Sequence, residues 1–344
     1  MSSNHNKALA AWLFAVAALI FAMIVLGGVT RLTQSGLSMV DWKPVTGWLP
    51  PMTDSDWQTA FERYKNFPEY EKRNLGMTVE GFKSIFWLEF LHRLLGRFIG
   101  VAFFVPLVVF WAKGWIGRKL APKLVVLFVL GGLQGVLGWY MVKSGLVSRP
   151  DVSQYRLAAH FGLALLILGP MLWVALGLIR PVQPTAGEGV SKSLRQGAKA
   201  LLGLVCLTAL SGAFVAGLDA GFTYNTFPLM DGKLVPDGLL DLSPAYLNFF
   251  ENIATVQFDH RILAIGTVLA VVFYWLRCRA QALTDRQRRA VNVLAMVACV
   301  QVALGISTLL LVVPVPLAAM HQAIAVIMFC VAVWMVYEFR APGA

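Results

Sequence analysis

The sequence predicts an all-α polytopic membrane protein with eight transmembrane helices, and two observations carry that prediction. Of 344 residues, 58% are hydrophobic and 14% charged, and the apolar ones fall in long blocks, which soluble globular domains do not show. The blocks are continuous rather than alternating. That excludes a closed β-barrel, the other architecture that satisfies its backbone hydrogen bonds in lipid.

The first block, Ala8 to Val29, runs 22 residues without a charge. It is long enough to span and lacks the short core and small-residue cleavage pattern of a removable signal, so it is kept as a helix. At about 20 residues per span, the others fall near 85–112, 123–142, 156–180, 199–217, 254–276, 290–313 and 317–338.

The net charge of +11 could suggest nucleic acid, but its distribution points to membrane lipid and to no nucleic-acid partner. With the N-terminus inside, the inner segments hold Lys7; Lys113, Arg118, Lys119 and Lys123; Arg180, Lys192, Arg195 and Lys199; Arg277, Arg279, Arg286, Arg288 and Arg289; and Arg340. These are 15 of the 29 basic residues, offset by only Glu188, Asp285 and Glu338. The positive-inside rule therefore places both termini in the cytoplasm or its organellar equivalent. Cys206, Cys278, Cys299 and Cys330 all fall in or at the ends of spans, so no disulfide framework is indicated.

The four helices before residue 180 resemble the four after 199. Leu26-Gly27-Gly28 matches Leu210-Ser211-Gly212, and His92-Arg93-Leu94-Leu95 matches His260-Arg261-Ile262-Leu263. The Gln134–Gly138 segment matches Gln301–Gly305, and His160 stands where His321 does. The last three matches are offset by 168, 167 and 161 residues. This regularity predicts two tandem four-helix bundles, 1–180 and 199–344, joined by an inner linker over 181–198. An even number of spans per half makes their relation a pseudo-two-fold along the membrane normal. The stretch Pro181 to Ser193 reads as mobile, being rich in Pro, Gly, Thr and Ser. In the long outer loop, Trp57, Phe61 and Tyr64 recur at helical spacing after a Thr53-Asp54-Ser55 start signal. That helix either lies at the membrane interface or packs on its own bundle.

His5 sits in the polar tail. The other four histidines occupy the second, fourth, sixth and eighth spans, each 4 to 7 residues after the predicted outer start, about 6 to 11 Å down. One histidine in a span is commonly a satisfied hydrogen-bond partner; four at one depth, two per repeat, are not. Paired imidazoles across a four-helix bundle suit the axial positions of haem iron. A zinc or copper site would need further ligands that each half lacks. His92 with His160 and His260 with His321 are therefore read as two iron sites. Arg93, Arg97 and Arg261 lie in spans, where an unpaired arginine is costly, and haem propionates would be fork-shaped partners for them. The competing reading pairs Arg93 with Glu89, since Glu to Arg at i, i+4 is a good helical spacing.

Glu89 precedes His92 by three residues, and Gln257 precedes His260 by three. One half keeps an acid beside its iron site and the other its neutral isostere. A carboxyl in an apolar pocket can move protons or stabilise a cationic intermediate, so the chemistry is assigned to the first half and a resident haem to the second.

The segments "GGVTRLTQSGLSMVDWKPVTGWLPP", "EFLHRLLGR", "AAHFGLAL", "AGLDAGFTYNTFPLMDG", "DHRILA" and "MHQAIAV" resemble the haem A synthase family over essentially the whole chain. The likeness is to its proteobacterial and mitochondrial branch, because the first outer loop carries no cysteine pair. The resemblance implies oxidation of the C8 methyl of haem O to a formyl group, through successive hydroxylations and loss of water, to give haem A for cytochrome oxidase. It implies haem b on His260 and His321, substrate haem O at His92 and His160, and Glu89 in catalysis. It also implies a bacterial inner membrane with haem sites toward the outer side, contact with haem O synthase and with an electron-transfer partner, and it leaves room for a homo-oligomer through small-residue patches such as Gly131, Gly132 and Gly135. The alternative is a quinol-linked di-haem b-type cytochrome, which usually stacks its haems across the membrane. A tandem-repeat transporter would need broken helices and midplane polar residues, which these spans mostly lack.

Overall fold

A computed structural model describes residues 3–41, 46–145, 152–180 and 190–341. Among the described residues there is no strand, only an isolated bridge between Met230 and Lys233. The chain runs through α1 (Ser3–Leu32), then α2 (Asp54–Tyr64) and α3 (Pro68–Arg73) in the first outer loop, then α4 (Val79–Ala112), α5 (Ala121–Gly145), α6 (Gln154–Ile179) and α7 (Lys192–Gly217). A short α8 (Asn248–Glu251) precedes α9 (Ile253–Arg279), α10 (Asp285–Leu310) and α11 (Val315–Glu338). Eight of these, α1, α4 to α7 and α9 to α11, are long and apolar enough to cross a membrane.

Helix ends depart from the hydropathy reading for local reasons. Helix α4 begins at Val79, six residues before the expected start at 85, where the Thr78 hydroxyl accepts from the Gly81 amide at 3.2 Å. Its first turns are too polar to read as a span, yet they continue the helix outward. Helix α10 starts early at Asp285 behind a Thr284–Gln287 capping box. It also stops at Leu310, short of 313. Val312 and Val313 have φ of +60° and +56°, and Val313 precedes Pro314, whose ring disfavours helical backbone in the residue before it. The linker expected over Pro181 to Ser193 falls largely on 181–189, outside the described residues; Ser191 caps α7 by accepting from the Leu194 amide.

The chain divides into two compact units, Ala18–Ala164 and Met1–Ala17 with Leu165–Ala344. In the latter, α7 packs on α9 and α11, and α10 packs on the same two, closing a four-helix ring. In the former, α2 docks on α4. Trp57, Phe61 and Tyr64 are buried against Phe82, Phe86 and Phe90, with ring centroids 5.0 Å apart for Trp57–Phe86 and 5.1 Å for Tyr64–Phe82. The amphipathic face of α2 is therefore used inside its own unit. Burial of each such side chain contributes about 1.5–3 kcal/mol, which fixes this outer cap over the start of α4.

Candidate functional site

Each transmembrane histidine lies edge-on against a glycine of a neighbouring helix. A Cβ on Gly27 of α1 would stand 3.0 Å from His92 Nε2 of α4, and one on Gly138 of α5 would stand 3.2 Å from His160 Cε1 of α6. In the other unit, a Cβ on Gly212 of α7 would meet His260 Cε1 of α9 at 3.1 Å, and one on Gly305 of α10 would meet His321 Cε1 of α11 at 2.9 Å. The glycines are thus slots for imidazole rings. His160, His260 and His321 come six or seven residues after the first residue of their helices, about 9 to 11 Å along the axis. His92 follows its helix start by more only because α4 is extended outward.

His92 lies within electrostatic reach of His160, and His260 within reach of His321. All four are partly buried. Around His260 the hydrogen bonds define the tautomer: Ser211 Oγ donates to the Thr208 carbonyl at 2.8 Å, so at 2.8 Å from His260 Nδ1 it accepts the ring N–H. That leaves Nε2 with a free lone pair, the usual arrangement of a ligating histidine held by an outer partner. Gln134 Nε2 donates to the His160 carbonyl at 2.9 Å, and Gln301 Nε2 approaches His321 Nε2 at 3.5 Å. His160 Nδ1 and His321 Nδ1 are buried with no hydrogen-bond partner in the protein. Among the described residues no group of three or more His, Cys, Asp or Glu surrounds a common point. Two imidazoles per half, set in glycine slots and partly unsatisfied, fit iron held in a porphyrin and do not fit a metal that needs its whole coordination shell from side chains.

The arginines and Glu89 sit beside these pairs in frames that repeat. Arg93 donates from Nη2 to the Met39 carbonyl at 2.7 Å and from Nη1 to the Asp41 carbonyl at 2.8 Å. Arg261 donates from Nη2 to the Tyr224 carbonyl and from Nη1 to the Thr226 carbonyl, both at 2.8 Å. Acceptors in the two halves are 185 residues apart. So are the slots Gly27 and Gly212, and so are Gln34 and Asp219, each with φ of +53° just past the helix end. This spacing shifts the sequence-based match of Leu26-Gly27-Gly28 with Leu210-Ser211-Gly212 by one residue. Gly27 corresponds to Gly212, and Leu26 stands where Ser211 does.

Within that shared frame the acid and the amide have opposite polarity. Glu89 Oε1 accepts from Arg93 Nη2 at 2.5 Å, while Oε2 accepts from the Met39 amide at 2.7 Å and the Ser38 hydroxyl at 2.8 Å. Gln257 Nε2 instead donates to the Tyr224 carbonyl at 3.1 Å. All of Glu89's partners are donors, so the site suits an ionised carboxylate. The expected apolar pocket is in fact a polar socket, buried with the carboxylate 2% and Arg93 8% exposed. The Glu89–Arg93 pair anticipated from their spacing is present. Arg97 lies one turn further along α4, partly buried and within electrostatic reach of Arg93. Sequence reasoning missed Ser38, Met39 and Ser211 as partners. Ser211 was visible inside a repeat motif, but the one-residue register error hid its meaning.

An eight-span membrane protein with a histidine pair in each half is the class that fold and site define. The chain belongs to the cytochrome oxidase assembly protein family, COX15-CtaA, whose model matches residues 10–333. It is 52% identical to a haem A synthase of Nitrosospira multiformis over 97% of this chain and 94% of that one. It is 51% identical to a haem A synthase of Parvibaculum lavamentivorans over 98% and 95% of the two chains. The bovine haem A synthase COX15 is 45% identical over 98% of this chain and 84% of its own length.

Proposed function

We propose that this chain oxidises the C8 methyl group of haem O to the formyl group of haem A, with the chemistry at the Glu89–His92–His160 site and haem b held by His260 and His321. The activity follows from the relatives, which share half of all residues over nearly the full chain. The division of labour is supported by one observation: in two frames with matching arginine clamps and glycine slots, the position three residues before the histidine holds an ionisable acid, Glu89, in the first and its neutral isostere, Gln257, in the second.

In this reading His92 and His160 orient the substrate iron, and Gly27 and Gly138 hold the rings in register. His260, turned by Ser211 to present Nε2, and His321 would hold a haem in the second half, which would supply one-electron chemistry. Arg93 clamps the outer loop backbone over the site and keeps Glu89 aimed, so that the carboxylate can accept a proton as hydrogen leaves the methyl carbon. Arg97 and Arg261, on the helices that carry His92 and His260, would receive haem propionates. The inner-face excess of basic residues supports cytoplasmic termini in the inner membrane and haem sites toward the outer side. Gly131, Gly132 and Gly135 on α5 face open space and offer a close-packing surface for a second copy, while haem O synthase and an electron-transfer protein are the partners that the reaction requires.

Pigment extraction from the purified protein tests this. Haem A or hydroxylated haem O beside haem b supports the reading, and two equivalents of haem b alone would support the di-haem cytochrome. Glu89→Gln should cost at least about 10²-fold in product formation with haem content retained; normal turnover by that variant would remove Glu89 from the mechanism.

A further inference from the structure

Arg180 ends α6 among side chains that the haem reading leaves unused. It borders a groove of about 500 Å³ in the unit formed by Met1–Ala17 and Leu165–Ala344, within the size range of sites that take a small molecule. Helix α6 lines it with Leu172, Leu176 and Ile179, and α11 with Ile327, Val331 and Trp334. Both sets are spaced i, i+4, i+7, so each helix turns one face to the groove. Phe14 of α1 closes the third side. Leu176 is 7% exposed and Ile179 41%, which gives the groove an apolar floor and an open rim. From Leu172 to Arg180 it runs about 12 Å along the helix axis, most of the depth of one leaflet in a hydrocarbon core about 30 Å thick.

The groove is apolar along its length and cationic at one end. Arg180 Nη1 donates to Glu338 Oε1 at 2.8 Å, and Trp334 Nε1 donates to the same oxygen at 2.9 Å. The Arg180 carbonyl accepts from Tyr337 Oη at 2.7 Å and from Arg340 Nη2 at 3.1 Å, which ties the ends of α6 and α11 together. Lys7 stands two turns before Phe14 on the same face of α1 and is exposed. Helix α10 begins at this end too, where Gln287 Nε2 donates to the Glu338 carbonyl at 3.0 Å; its first turns carry Asp285 with Arg286, Arg288 and Arg289. Cations therefore outnumber acids around the mouth. The Arg180 side chain is 34% exposed and that of Glu338 10%, so the cation of this pair is the more open to a ligand.

We propose that this groove binds one anionic phospholipid, its acyl chain lying along α6 and α11 and its phosphate met by Arg180 and Lys7. A zwitterionic lipid or a neutral isoprenoid would fill the apolar length but leave the cations without a counter-charge. Basic pockets between transmembrane helices on the cytoplasmic side are where anionic headgroups bind, and the charge asymmetry that places this end of the molecule inside puts the site in the inner leaflet. It does not depend on the roles given to Glu89 or to the histidine pairs.

Native mass spectrometry of the full-length holoprotein in detergent, titrated with phosphatidylglycerol or with phosphatidylcholine of the same chains, tests the site. The wild type should hold one phosphatidylglycerol at least about fivefold more tightly than phosphatidylcholine, the effect of a single basic contact. Lys7→Gln should weaken phosphatidylglycerol about fivefold and Arg180→Gln at least as much, with phosphatidylcholine unmoved by either. Ile179→Trp, which fills the groove from its open rim, should abolish the tight adduct, and Lys119→Gln, on another loop of the same side, should leave it intact. Equal affinity for the two lipids, or a tight adduct that survives Ile179→Trp, would overturn the proposal. So would a copurified neutral isoprenoid that Ile179→Trp displaces. Should Arg180→Gln fail to accumulate because Glu338 loses its partner, an unchanged preference for phosphatidylglycerol in Lys7→Gln would overturn headgroup recognition by itself.

Discussion

Ser211 and Leu26 occupy equivalent places beside His260 and His92, and the difference between a hydroxyl and an aliphatic chain has a chemical consequence. Ser211 fixes which nitrogen of His260 carries hydrogen; His92 receives no such instruction from Leu26. An iron resident for the life of the protein benefits from a fixed ligand, whereas a substrate iron has to be exchanged. Ser211→Ala should therefore weaken haem retention in the second half by about 10- to 100-fold, the usual effect of removing an outer partner of a metal-ligating histidine. Haem titration and the optical spectrum of the reduced protein would show it, and Leu26→Ala should leave that second-half signal unchanged. At this scale the sequence was informative about type and poor about partners. The Glu89–Gln257 contrast and all four histidines could be read from spacing alone. The socket of Glu89 could not, because Ser38 and the Met39 amide lie some fifty residues away in sequence and nothing in a string of letters brings them together.

Helices set the distances at which these side chains work, and glycine is how this fold lets two helices share an imidazole. Gly305→Ala would place a methyl 2.9 Å from His321 Cε1, closer than such atoms approach, and the helical backbone of α10 cannot readily yield. The ring must turn, so haem occupancy of the second half should fall severalfold in pigment assays, while Gly135→Ala, which meets open space, should be neutral. The outer cap formed by α2 and α3 has its own pH dependence. Glu69 has a folded value of about 7 against an ordinary 4.5, so its contribution to stability is fully present below 4.5 and is lost as pH rises through 7. Amide hydrogen exchange in α2 and α3, corrected for intrinsic rate, should therefore quicken between about pH 4.5 and 7 and level off above that in the wild type, and Glu69→Gln should flatten that dependence. Helix existence was legible from apolar run length; helix ends were not. The start of α4 depends on a Thr78 cap and on aromatic packing, and the end of α10 on Pro314, and hydropathy registers neither.

For the whole molecule, the eight spans are legible in the sequence because lipid imposes their length, and the motifs recurring at regular offsets are what suggest a repeat. The repeat register in α1 and α7 became clear only from the hydrogen bonds of Arg93 and Arg261, since small residues align almost equally well one position apart. Charge asymmetry carries the remaining global inference, orientation. The loop between α4 and α5 holds Lys113, Arg118 and Lys119, followed by Lys123 in the first turn of α5, without an acid, and the stretch between α7 and α9 holds Asp219, Asp231, Asp237, Asp241 and Glu251 against Lys233 alone. Moving the first across a membrane is disfavoured and moving the second is not. Asp237 and Lys119 are both exposed on their loops. In intact cells a membrane-impermeant thiol reagent should label Asp237→Cys and should reach Lys119→Cys only after the membrane is opened, with the native cysteines, all within spans, giving the background. The reverse pattern would invert the protein and put both histidine pairs, which lie in the N-terminal halves of α4, α6, α9 and α11, on the cytoplasmic side.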